Sequence, residues 1–146
     1  MVPVVYSNNW MWNLTASVGK GGLNTSQEDV LYIQWYYWTA ARNAETPPDR
    51  KAIYKEVPLS GACSGFDSDP LVKAITAHQT YLKHPLVDGR VSVANAGGKV
   101  ATSAFFVYRI GARLCRMNQG LWPRLDRMDG CPIAVAQASL RAIPDL

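Results

Sequence analysis

This sequence of 146 residues has few of the groups that carry metal or nucleophilic chemistry. It holds two histidines, His78 and His84, and three cysteines, Cys63, Cys115 and Cys131. The histidine spacing matches neither an i,i+4 pair on one helix face nor a zinc-protease helix. There is no CxxC, so a structural zinc site is not expected, and an odd cysteine count argues against a disulfide framework. No metal or other cofactor is expected. Charge is sparse as well. Charged residues make up 18%, the net charge is +4, and no run of five or six Lys or Arg occurs. That is a mild affinity for anionic polymers, not a nucleic-acid arm. No stretch reaches the roughly 20 apolar residues of a membrane span. The opening MVPVVYSNNWMWNLTAS lacks a basic segment and a long apolar core, so no standard leader is read there. A cell-envelope or periplasmic location then requires a non-standard export route, delivery on a particle, or a leader outside this sequence.

Apolar and aromatic residues are plentiful: 48% are hydrophobic, with five Trp and seven Tyr. A chain of this length and composition suits one globular domain. Residues 1–16 carry Val4, Val5, Tyr6, Trp10, Trp12 and Leu14, which favour an extended segment. It either packs on the chain's own core or serves as an arm for a partner. SVGKGGLN follows at 17–24. Asn24, Thr25 or Ser26 then offers a helix cap, with Glu28 and Asp29 in the first turn. Val30, Ile33, Gln34 and Tyr37 recur at helical spacing to about Arg42, and Leu31, Trp35 and Trp38 widen the apolar face. Residues 43–60 contain Pro47, Pro48 and Pro58 and read as a loop. Asp67 or Ser68 is expected to cap a second helix, PLVKAITAHQTYLKH, with Pro70 in its first turn. Val72, Ile75, Gln79 and Leu82 share one face of it, and Pro85 ends it near His84. Asp88-Gly89 is a turn dipeptide. A third helix is predicted from about Lys99 to Met117, with Phe106, Ile110 and Leu114 on one stripe. A short amphipathic helix is predicted over 133–142.

Four chemistries are conceivable for these residues. GKGG lacks the GxxxxGK[ST] spacing of a phosphate loop, so Gly21 and Gly22 read as turn residues. A hydrolase using Cys63 and His78 lacks a group to orient the base, so no enzyme is expected. Arg109, Arg113 and Arg116 lie near helical spacing in YRIGARLCRMNQGLWPRLDR and read as a solvated helix face, without a nucleic-acid partner. Trp and Tyr beside Asn, Asp and Arg suit a sugar surface, because ring faces stack on C–H patches while polar groups read hydroxyls.

The order of motifs resembles the peptidoglycan-binding-like domain family. SVGKGGLN…EDVLYIQWYY is similar to the family's opening, a Gly turn before a helix with a V–x–x–[LIV]–Q pattern. SGACSG…DPLVKAITAHQTYL resembles its second unit, and HPLVDGRVSVAN its closing DGRV turn. The resemblance spans roughly residues 17–115 and implies a mainly α fold, a small three-helix bundle with long loops. Residues 1–16 would be an extended arm and 116–146 a C-terminal extension. Gln34 and Gln79, on otherwise apolar faces, need buried partners, which the Gly/Asp turns can supply; Gly89 belongs to the second of these. Three features depart from the family: His78 where it has Phe before Gln, a longer 43–60 loop, and the bulk of Trp35, Tyr36, Tyr37 and Trp38.

The resemblance implies a non-catalytic module binding peptidoglycan or another glycan, with Asp67, Asp69, Tyr81, Asp88 and Arg90 at the ligand. The alternative is a structural or adaptor subunit of a phage-like particle, filament or secretion apparatus. Self-assembly or a protein partner would then involve Trp10, Trp12, Trp35, Trp38 and Trp122.

Overall fold

The computed structural model describes residues 1–95, 99–100 and 103–142, the pieces at 99–104 by backbone alone. The valines and tryptophans of the N-terminus pair with one another. β1 (Val2–Tyr6) and β2 (Asn9–Asn13) form an antiparallel hairpin in which Tyr6 opposes Asn9. Its two-residue turn holds Ser7 at φ 52° and Asn8 at φ 63°, the paired positive angles that a tight hairpin connection requires.

α1 (Gln27–Arg42) starts at Ser26, whose hydroxyl accepts a bond from the Asp29 amide at 3.2 Å. Every residue from Asp29 to Tyr37 is buried, so α1 is the central helix rather than a surface one. α2 (Pro48–Tyr54) and α5 (Ile133–Ala142) both pack against it. α2 corrects the expected 43–60 loop. Pro47 sits at the cap and Pro48 at the first helical position, where the missing N–H has no intrahelical partner to lose. α3 (Pro70–Tyr81) is capped by Asp69, not by Asp67 or Ser68: the Asp69 carboxylate accepts the Leu71 amide at 2.8 Å.

Two further strand pairs are short. β3 (Val18–Gly19) pairs antiparallel with β4 (Arg90–Val91). β5 (Lys99–Val100) pairs with β6 (Ser103–Ala104), so α4 (Phe106–Met117) begins seven residues later than the predicted third helix. β-branched Val100 and hydroxylic Ser103 are poor helix formers, and the helix waits for the Phe106 stripe. The expected mainly α three-helix bundle is therefore overturned. Among the described residues, five α-helices and three small antiparallel pairs make a mixed α/β domain.

The N-terminal hairpin and residues 122–138 are sewn into one core. The indole N–H of Trp12 donates to the Pro123 carbonyl at 3.1 Å, that of Trp35 to Asp129 at 3.1 Å, and that of Trp122 to Trp10 at 2.7 Å. The Met1 ammonium lies 2.7 Å from the Asp29 carboxylate, with both groups fully buried. Asp29 also accepts bonds from the Thr15 amide, the Thr15 hydroxyl and the Ala16 amide. A buried charge is tolerated only with such complete pairing. Trp12, Leu14, Leu125 and Val135, from outside 17–115, sit in the same hydrophobic cluster as Ile33, Ile75 and Ile110. Burying each such side chain contributes about 2–3 kcal/mol. Among the described residues no helix is long and apolar enough to cross a membrane.

Candidate functional site

Two regions concentrate polar groups. The first is a cluster of three turns. Gln34 reaches from α1 to the turn at 60–62: its side-chain oxygen accepts the Gly61 amide at 2.8 Å, and its amide nitrogen donates to the Ala62 carbonyl at 3.1 Å. Gln79 does the same from α3. Its oxygen accepts the Asp88 and Gly89 amides at 3.1 and 2.9 Å, and its nitrogen donates to Asp88 and to the Arg90 carbonyl at 3.1 and 3.0 Å. Thus two helices each carry a buried amide that holds a Gly turn.

The opening GKGG turn docks on the second of these. The Lys20 amide donates to the Gly89 carbonyl at 2.9 Å. Gly19, at φ 109°, leaves no room for a β-carbon, which would overlap the Gly89 carbonyl. Asn24 closes the turn from inside, accepting the Gly19 amide at 2.8 Å and donating to the Gly19 carbonyl at 3.0 Å. The turn is thus filled by its own side chain.

Most of the expected ligand residues hold this cluster together. Asp69 caps α3 and also accepts the Ser64 amide and hydroxyl at 2.8 and 3.0 Å. Asp88 accepts from Gln79 and from the Arg90 amide, and Arg90 pairs with it at 3.4 Å. Asp67 forms an exposed ion pair with Lys20 at 2.9 Å. Gly21 lies against the Arg90 guanidinium, and Gly22 against Ser17. Tyr81 is elsewhere: it is exposed at the end of α3, with the Arg50 guanidinium 3.4 Å above its ring. Of the five tryptophans proposed as contacts, Trp12 and Trp35 are buried, Trp38 and Trp122 are half-buried, and Trp10 is 43% exposed.

The second region takes in Tyr81 alone of the expected ligand residues. A cavity of about 430 Å³ opens between α1, α2, α3 and α4. Its floor is Tyr36, Tyr54 and His78, and Arg50, Arg109, Arg113 and Arg116 surround it. Among the described residues Glu45 is the one carboxylate in its lining; it is exposed and lies 3.5 Å from Arg113. Among the described residues Arg109 and Arg116 have no carboxylate within ion-pair distance. His78 is buried between two hydroxyls, with Tyr36 bonded to its Nε2 at 3.4 Å and Tyr37 to its Nδ1 at 3.2 Å. Burial first, then the positive charges of Arg50, Arg109 and Arg113, lower its pKa to about 3, so the ring is neutral. The Tyr54 hydroxyl is buried and completes no hydrogen bond of good geometry, although Arg50 stands beside it. Burial raises the Tyr36 and Tyr54 pKa values above the ordinary phenol value.

A larger hollow of about 600 Å³ adjoins this cavity and shares Arg109, Ala112 and Arg116 with it. Its walls are aromatic: Tyr6 stacked on Tyr108 at 4.8 Å, Trp10, and Trp122. The β1–β2 hairpin, α4 and the 122–123 turn therefore build a ring-lined shelf next to a basic cleft.

Cys63 and His78 occupy separate neighbourhoods. Cys63 lies by Gly19, Gly65 and Asp69, and burial raises its pKa; His78 lies among Tyr36, Tyr37, Tyr54 and Phe106. Burial pushes the Cys131 thiol up to about 12. Among the described residues no group of three or more His, Cys, Asp or Glu is placed to hold a metal.

The spacing of Arg109, Arg113 and Arg116 is visible in the sequence, but Arg50 and Tyr54 fall in the proline-rich stretch 43–60 that reads as a loop. Only α2 brings them opposite α4. Comparison with protein-family models, with curated proteins and with solved structures found no match.

Proposed function

We propose that this chain is a non-catalytic module that binds peptidoglycan or a related cell-wall glycan and targets whatever it is delivered with. The observation that carries this reading is the recurrence of one device: a helix whose buried glutamine holds a Gly turn, at Gln34 and again at Gln79. That recurrence is the physical content of the motifs behind the peptidoglycan-binding-like resemblance. The aromatic shelf adds a surface of the chemistry that sugar rings take. An adaptor subunit of an assembled particle stands second, because Trp12 and Leu14 of the N-terminal segment and Leu125 and Val135 of the C-terminal extension pack in this chain's own core, although Val5, Trp10 and Ile133 remain exposed.

Co-sedimentation with insoluble peptidoglycan sacculi tests the reading. Saturable binding that survives moderate salt is expected. Binding that disappears with salt is mere adhesion of a +4 chain to an anionic polymer, and it removes the proposal.

A further inference from the structure

We infer that the cavity between α2 and α4 and the shelf beside it form one binding site for an acidic saccharide, the acid group seated among Arg50, Arg109 and Arg113 and the sugar ring lying against Trp10 and Trp122. The sugar half of this assignment rests on the wall-binding reading; the acid half rests on the cavity itself.

Charge argues first. Four guanidinium groups, of Arg50, Arg109, Arg113 and Arg116, surround a cleft whose single carboxylate among the described residues, Glu45, is directed at Arg113 from an exposed turn. Like charges gathered on a low-dielectric floor repel unless an anion joins them. Guanidinium groups suit a carboxylate or a phosphate, because their planar N–H fork matches two oxygens of either. Arg50 is held in place by its stack on Tyr81, and Arg113 by Glu45, so both are already oriented. The floor points the same way. Tyr54 is 2% exposed and borders the cleft, and Arg50 beside it can only donate, so its hydroxyl has a proton to give to a ligand oxygen. The His78 ring beneath is fixed by its two tyrosine hydroxyls and brings no anionic group into the cleft.

Continuity argues second. Arg109, Ala112 and Arg116 line both spaces, so a ligand with its acid in the cleft meets the aromatic shelf at once. Trp122 is fixed there by its bond to the Trp10 carbonyl at 2.7 Å. A ring presented on such a shelf stacks through its C–H face. A bare inorganic anion would fill the cleft and leave the shelf empty, whereas a neutral sugar would do the reverse.

The test is a titration of the ¹⁵N-labelled full chain, followed by amide shifts, with three probes: N-acetylmuramic acid, N-acetylglucosamine and inorganic phosphate. N-acetylmuramic acid is expected to bind saturably, to shift amides of both α4 and the β1–β2 hairpin, and to bind at least about tenfold more tightly than the neutral sugar, the scale of one well-placed charged hydrogen bond. Phosphate is expected to compete for the α4 shifts without moving the hairpin. The double variant Arg109→Gln, Arg113→Gln should lose the acidic sugar by at least about tenfold while keeping its thermal midpoint, and Lys20→Gln, which removes a surface charge elsewhere, should not. Tyr54→Phe should weaken binding and leave the fold intact. Equal binding of the neutral sugar, binding of phosphate alone, or retention of affinity in the double variant would each overturn the assignment. Sacculus binding is read separately. If wild-type protein ignores sacculi yet binds N-acetylmuramic acid at the cleft, the wall reading fails and this site stands. If sacculi bind equally to wild type and the double variant, while N-acetylmuramic acid does not bind, this site fails and the wall reading stands.

Discussion

Gln79 makes four hydrogen bonds with one amide, and three of them go to backbone groups. Replacing it with leucine preserves the volume but leaves the Asp88 and Gly89 amides buried without an acceptor. Each orphaned group costs about 1–3 kcal/mol, so Gln79→Leu should lower stability by about 3 kcal/mol or more, read as a fall in the urea midpoint. Gln79→Glu keeps the acceptor but turns an oxygen toward Asp88 and the Arg90 carbonyl, so it should cost more once that carboxyl ionises, read as a urea midpoint that falls as pH rises. His78 gives a pH dependence whose sign is fixed by its burial. Its folded pKa of about 3 lies below the ordinary value of 6.5, so the unfolded chain takes up a proton that the folded chain refuses. Stability is fully present above the unfolded value and is lost as pH falls toward the folded one. Denaturant midpoints at about pH 7.5 and about pH 5 should therefore differ clearly in the wild type and much less in His78→Phe. Some slope should remain, because burial lowers the His84 pKa in the same direction.

At the level of elements, α1, α3 and α5 were readable because their apolar residues repeat at helical spacing and their starts carry a cap or a proline. α5 falls where its pattern placed it, over Ile133–Ala142. The N-terminal aromatics were legible as extended chain, but not as a hairpin, since Ser7-Asn8 is a weaker turn signal than Asn-Gly. α2 was hidden by its prolines, which forbid a helix interior but suit a helix start. The basic cleft was hidden with it. Three of its arginines lie on α4 at visible spacing, yet a helix face becomes a site only when something stands opposite. The Trp35–Trp38 bulk also acquires a local meaning. Trp35 donates to the Asp129 carbonyl, and Trp38 lies flat against Gly130, which is at φ 69°. A methyl at Gly130 would overlap the Trp38 ring. Gly130→Ala should cost about 1–3 kcal/mol through strain and overpacking, with a shift in tryptophan emission to report it.

For the whole molecule, the hairpin decides between the two functional readings. Deleting residues 1–14 removes Trp12 and Leu14 from the core and the Met1 ammonium from Asp29. The expected outcome is loss of the sharp near-ultraviolet dichroism and of the cooperative urea transition. A deletion product that stays folded and merely becomes monomeric would instead mark residues 1–14 as a partner arm, and would favour the adaptor.

The bond between Trp12 and Pro123 has a further consequence, in time rather than in space. It joins residues 111 apart, and the Val18–Val91 pair is also distant in sequence. Contacts of such separation slow folding, because the chain must close long loops before the contacts repay it. During synthesis the aromatic hairpin emerges well before its partners at 122–123. Until they arrive it is an apolar strand pair with nothing to cover it, the kind of surface that chaperones hold and that aggregates when they do not. A gene fragment ending near residue 115 would stop the ribosome before that wait is over.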